Sequence, residues 1–287
     1  MQHTHRLVYL ANHMFVDLPE GRFLVDTGSP ASFGETRTAS YGGVERPIPR
    51  NVDPRNLVPG NLVPGNLVPG DWVQPNLAPL SVKSLAGLDL EARIGARLRG
   101  VLGMDLLATD TVLWDGPRGR AIVRPSAPPA EAVRVELTVA GGVPLVEACV
   151  GGGGSGGSSR CGRWIFRTGA QCSYFREGSD LTLGDPDGEF EDVVPELSSE
   201  QGADGHPFRT PAAKVAVVLG ANGAGDGGAV PASSAVVRFR DRFGHHAPLS
   251  AQVLEPAGVD GVIGVSWLAK RRVWFAPTQG AMWVAAG

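Results

Sequence analysis

Two widely separated stretches of this chain are written in one pattern. Arg22-Phe-Leu-Val-Asp26-Thr-Gly-Ser-Pro-Ala-Ser-Phe33 aligns without a gap on Arg163-Trp-Ile-Phe-Arg167-Thr-Gly-Ala-Gln-Cys-Ser-Tyr174. Further along, Gly100-Val-Leu-Gly-Met-Asp-Leu-Leu-Ala108 aligns on Gly261-Val-Ile-Gly-Val-Ser-Trp-Leu-Ala269. Each copy then enters a Val/Trp-rich strand, at Thr111 to Trp114 and at Arg272 to Phe275. Paired motifs in the same order imply a duplicated lobe, so the two halves are expected to fold alike. Between them, Arg124-Pro-Ser-Ala-Pro-Pro-Ala130 has the composition of an extended connector. The expected division is a first lobe over 1–124, a connector over 125–130 and a second lobe over 131–287.

The repeated unit reads as β structure. The chain carries 40 glycines and 23 prolines in 287 residues, well above the roughly 12% of ordinary usage. Helix interiors tolerate neither residue, so a turn-rich, all-β protein follows. Each half opens on an alternating strand, Arg6 to Leu10 and Val133 to Val139, and a further strand leads into each X-Thr-Gly motif. Short helices are expected only near Met104 to Thr109 and Val265 to Arg271. With 43% hydrophobic residues the chain can build a sizeable core, and a net charge of -3 disfavours a general nucleic-acid or membrane-surface binder. No apolar run has signal-peptide or membrane-span length, which makes a cytoplasmic protein the default expectation. Cys149, Cys161 and Cys172 are odd in number and clustered; Cys149 and Cys161 could face each other across a hairpin, but reduced thiols are expected.

The chemistry concentrates in Phe23-Leu-Val-Asp26-Thr27-Gly28-Ser29, an apolar strand ending in a carboxylate turn, followed later by Val101-Leu102-Gly103. This pattern resembles the aspartic peptidases, the pepsin and retropepsin families, in which each lobe presents an Asp-Thr/Ser-Gly turn and a later apolar-apolar-Gly motif. The resemblance covers both ends of both halves and leaves the middle of each lobe unmatched. It implies a bilobal all-β fold, two similar barrel-like lobes with a cleft between them and Asp26 at its floor. It also implies supporting roles for Thr27, Gly28, Ser29, Thr168 and Gly169. Thr hydroxyls can bond across to the partner loop, and glycine lets the two backbones approach closely.

The second copy departs from the family where the chemistry is made. Arg167 stands at the position of the second Asp, while Thr168 and Gly169 are kept. Aspartic peptidases depend on two carboxylates about 3 Å apart that share a proton and activate a water. A guanidinium stays protonated and can take neither role. Beside Asp26 it is expected to form a charge-assisted pair that holds the carboxylate ionised. Three functions remain open at this point. The first is a non-proteolytic, monomeric protein binding a peptide or small molecule in the cleft. The second is a peptidase made by bringing Asp26 from two chains together. The third is another enzyme, with Asp26 as general base and Arg167 as anion or oxyanion anchor.

Other motifs point to no cofactor or metal. Val215 to Gly228 with Asp241 formally contains Gly-x-Gly-x-x-Gly, but no helix follows to receive a phosphate, so a hairpin is expected there. Gly151 to Ser159 reads as a loop between two strands, and Asn56-Leu-Val-Pro-Gly, repeated at Asn61 and Asn66, as successive turns. His3 and His5 are expected in a mobile N-terminus and His245-His246 in a turn, without the acidic or thiol partners of a zinc site. Tyr41, too close to Asp26 for the flap of the bilobal members, reads as a turn residue. The flap is expected within Ile48 to Pro69.

Overall fold

The structure, a computed structural model, describes residues 1–10, 13–52, 80–81, 91, 95–151, 160–170, 173–176, 200–201, 207–208, 212–220, 233–240, 259–264 and 268–286. The first half contributes β1 (His3–Leu10), β2 (His13–Leu18), β3 (Gly21–Val25), β4 (Phe33–Gly34), β5 (Thr38–Tyr41), β6 (Val44–Pro47), β7 (Asn51–Val52), β8 (Leu80–Ser81), β9 (Leu98–Leu102), β10 (Val112–Asp115) and β11 (Arg120–Val123). The second contributes β12 (Val133–Ala140), β13 (Val143–Gly151), β14 (Arg160–Phe166), β15 (Ser173–Arg176), β16 (Glu200–Gln201), β17 (Pro207–Phe208), β18 (Ala212–Leu219), β19 (Ser233–Arg240), β20 (Gly261–Ile263), β21 (Arg271–Ala276) and β22 (Ala281–Ala286). A single turn of α-helix, α1 (Met104–Leu107), follows β9. Its expected counterpart falls partly outside the described residues; Leu268 to Lys270 form a turn and Arg271 already begins β21.

Sixteen strands join into one sheet whose order carries the duplication. From the central antiparallel pair β10–β21 the order runs outward as β11-β1-β2-β3-β9-β4 through one half and as β22-β12-β13 through the other. Strand β13 pairs with both β14 and β18, and the pairings β14-β20-β15-β19-β18 return to it, closing six strands into a barrel. In both halves the strand leading into X-Thr-Gly is parallel to the strand bearing the later Gly motif: β3 with β9, β14 with β20. Such strands are covered on both sides and need continuous apolar sequence, which Phe23-Leu24-Val25 and Trp164-Ile165-Phe166 supply, all of them buried.

Two hairpins turn on glycine pairs, Gly42-Gly43 between β5 and β6 and Gly141-Gly142 between β12 and β13. Both residues of each pair have positive φ, between 58° and 76°, the conformation of two-residue hairpin turns and one that other side chains resist. Around the central pair the halves share one core: Trp114 of β10 stacks on Phe275 of β21 and Phe166 of β14, with centroids 4.9 and 6.1 Å apart. The β18–β19 pair is the hairpin expected in place of a dinucleotide fold.

Three expectations are corrected. His3 and His5 lie not in a mobile tail but in β1, where His3 pairs with Val123 and His5 with Ala121 of β11. Tyr41 is no turn residue; it ends β5 and is buried in the core. Cys149 and Cys161 are not reduced, because the β13–β14 register sets them directly opposite and they form a disulfide. Cys172, the three Asn-Leu-Val-Pro-Gly repeats, residues 152–159 and 221–232, His245-His246, Asp241 and most of the expected flap lie outside the described residues.

The disulfide carries a direct test. It closes a short loop, at a sequence separation of 12, and cross-links of that size stabilise by about 2–4 kcal/mol. Denatured without reductant, the chain is expected to show at most one free thiol, that of Cys172, and three after reduction. Three thiols before reduction would show that the bond does not form.

Candidate functional site

The parallel strands β3 and β14 end side by side. Their next residues are held alike: the Asp26 amide donates to the Leu102 carbonyl at 3.0 Å, and the Arg167 amide to the Ile263 carbonyl at 2.9 Å. Thr27 and Thr168, both fully buried, then lock the two turns together. The Thr27 amide donates to Thr168 Oγ1 at 3.0 Å, and the Thr168 amide to Thr27 Oγ1 at 3.0 Å. Each hydroxyl donates onward to the strand end of the other half, Thr27 to the Phe166 carbonyl at 2.5 Å and Thr168 to the Val25 carbonyl at 2.7 Å. Each hydroxyl thus both accepts and donates, the full use of a Thr side chain, and four buried backbone groups are satisfied across the two halves.

This lock brings Asp26 and Arg167 face to face. Arg167 Nε donates to Asp26 Oδ1 at 3.3 Å and its terminal nitrogen Nη2 to Oδ2 at 3.2 Å, the two-pronged geometry that guanidinium and carboxylate favour. The Gly28 amide also donates to Asp26 Oδ1, at 2.8 Å. The Asp26 side chain is 10% exposed and that of Arg167 32%, so the pair is reached by solvent mainly from the arginine side. Close approach is permitted by the glycines. A Cβ on Gly169 would lie 2.2 Å from Asp26 Cγ, and one on Gly28 would lie 2.5 Å from Arg167 Cδ. Ser29 bonds locally, its amide donating to the Asp26 carbonyl at 3.0 Å and its hydroxyl to the Ala31 carbonyl at 2.7 Å.

The sequence reading missed a second matched layer. Ser32 Oγ accepts from the Gly103 amide at 2.8 Å, and Ser173 Oγ accepts from the Gly264 amide at 3.1 Å. Each serine ties the segment beyond its X-Thr-Gly turn to the later glycine of its own half, so the turn is braced on both sides. In the first half Asp105 Oδ1 extends the brace, accepting from the Ser32 hydroxyl at 2.6 Å and its amide at 2.8 Å. The signal was present: both serines occupy one column of the gapless alignment, as do both glycines. Among the described residues no group of His, Cys, Asp and Glu could hold a metal ion.

Among solved structures, the chain is similar to an aspartic proteinase from Irpex lacteus, with a TM-score of 0.52 and 10% identity over 100% of this chain and 97% of that one. The protein has an all-β, bilobal aspartic-proteinase fold. At that identity the likeness establishes the fold and nothing of the activity. No family model matches the chain, and no curated protein does. Within this fold, the carboxylate and the guanidinium meet where the two halves of the duplicated sheet are locked together. No helix among the described residues is long and apolar enough to cross a membrane.

Proposed function

We propose that this protein is a non-proteolytic relative of the aspartic peptidases that binds a peptide or small molecule between its lobes. The Asp26–Arg167 pair is the observation that carries this reading. Asp26 has its carboxylate engaged by a guanidinium and an amide, and Arg167 cannot exchange a proton with it at any pH at which proteins fold. A water between them would lack the second carboxylate needed to take its proton and return it to a leaving amine. The division into lobes at 1–124 and 131–287, joined by 125–130, belongs to this proposal.

A monomer is favoured over Asp26 pairing between chains. Each Thr of the lock already has its partner within the chain, and two first lobes could meet only by breaking those four bonds. A cytoplasmic location sits uneasily with the Cys149–Cys161 bond, since disulfides are rare in reducing compartments. The functional reading is tested by digesting a peptide library with the purified monomer from pH 3 to 7. No cleavage above background is expected at any pH, together with retention of a subset of peptides or small molecules that Arg167→Ala releases. Cleavage by the monomer that disappears in Asp26→Asn would refute the proposal.

A further inference from the structure

Among the described residues the hairpin formed by β5 and β6 pairs with no strand of the large sheet; Ala39 and Tyr41 seat it in the core, and side chains outside it add polar anchors. Three such anchors are His5, Arg124 and Glu20. Gly42, buried at the turn, donates its amide to His5 Nε2 of β1 at 3.2 Å. Its carbonyl accepts from the Arg124 guanidinium at 2.6 Å. Arg124 is the only non-glycine residue with positive φ among the described residues, at 56°, a conformation kept where surrounding contacts require it. Two residues earlier in the hairpin, Ser40 donates both its amide and its hydroxyl to the Glu20 carboxylate, the amide at 3.2 Å. The His5 ring also stacks on Tyr41, with centroids 5.6 Å apart.

Two of the three anchors work in one protonation state only. An imidazole accepts at Nε2 only while that nitrogen is unprotonated, and a carboxylate accepts two hydrogen bonds most strongly when ionised. We infer that a neutral His5 and an ionised Glu20 latch the 38–47 hairpin to the first lobe beyond its core packing, and that acid loosens this latch in two steps, His5 first.

Protonating His5 turns the acceptor for a buried amide into a donor pointing at another donor, and it adds a positive charge near His3 and Arg124. Glu20 and the Tyr41 ring oppose this by attracting the imidazolium. Asp110, which lies near Tyr41 and 3.5 Å from Arg124 Nε, balances the arginine. Burial, then His3, outweigh Glu20 and hold the His5 pKa below its usual 6.5. For Glu20, burial pushes upward, but the two bonds from Ser40 prevail and hold its pKa below 4.5. Both shifts have one sign for stability. The free, unlatched hairpin binds more protons, so latching weakens as pH falls below about 6.5 through His5 and again below about 4.5 through Glu20.

The test is amide hydrogen exchange at Gly42, corrected for intrinsic rate, from pH 7.5 to 5.0, alongside NMR titration of the His5 ring. The opening constant is expected to rise about fivefold to tenfold, the worth of one net hydrogen bond, with its midpoint on the His5 titration. His5→Gln, which keeps an acceptor that does not titrate, is expected to flatten the profile above pH 5. Glu20→Gln is expected to leave the rise above pH 5 in place. A flat wild-type profile, a midpoint away from the His5 titration, or an unchanged rise in His5→Gln would each overturn the inference.

Discussion

Arg167→Asp is expected to produce weak peptidase activity with an acid optimum. The variant removes the guanidinium that engages both oxygens of Asp26 and puts a shorter carboxylate on the same turn. Everything that positions that turn is still present: the Thr168 bonds, the Arg167 amide on the Ile263 carbonyl, and Gly169 beneath Asp26. Two carboxylates about 3 Å apart cannot both ionise, so one proton is shared between them. General acid-base catalysis of this kind contributes about 10²–10⁴-fold, and a rise of that order over the wild-type background is expected. It is measured by digesting one peptide library with wild type, Arg167→Asp and the double variant carrying Asp26→Asn, from pH 3 to 7. Activity that survives Asp26→Asn would mean that a different site, or a contaminant, does the cutting.

The largest expected effect on stability is at the threonine lock. Thr27→Val keeps the shape of the side chain but removes the acceptor of the buried Thr168 amide and the hydroxyl that donates to the Phe166 carbonyl. An orphaned buried amide costs about 1–3 kcal/mol and a lost hydrogen bond about 0.5–1.5 kcal/mol, so a total loss of roughly 2–5 kcal/mol is expected. At about 2–4 °C per kcal/mol for chains of this size, the melting temperature is expected to fall by roughly 5–15 °C. Thr27→Ser retains both bonds and is expected to lose far less, mainly one buried methyl. Calorimetry on the two variants separates the effects. Equal losses for Val and Ser would show that packing, not the hydrogen bonds, holds the halves together.

Much of this protein was legible before any coordinates. The gapless match of Arg22 to Phe33 on Arg163 to Tyr174 determined that two apolar strands end in like turns, and the glycine and proline content determined that the elements between would be strands and turns. It also placed an arginine opposite an aspartate, because a duplicated motif carries its positions with it. These are properties of local pattern, set by side-chain periodicity and by which residues a turn accepts. What only the tertiary structure decided depends on register between strands remote in sequence. Cys149 meets Cys161 because β13 and β14 pair in that register and no other, which spacing and count could not reveal. His5 left the expected mobile tail because β11, more than a hundred residues away, supplies its partner strand, and it then reaches an amide 37 residues on. Tyr41 likewise reads as a turn residue from its glycine neighbours, yet the strand before that turn lies against the core. A one-residue slip in any of these pairings would put the same side chains on the opposite face, so their contacts follow from the assembled sheet and not from the sequence nearby.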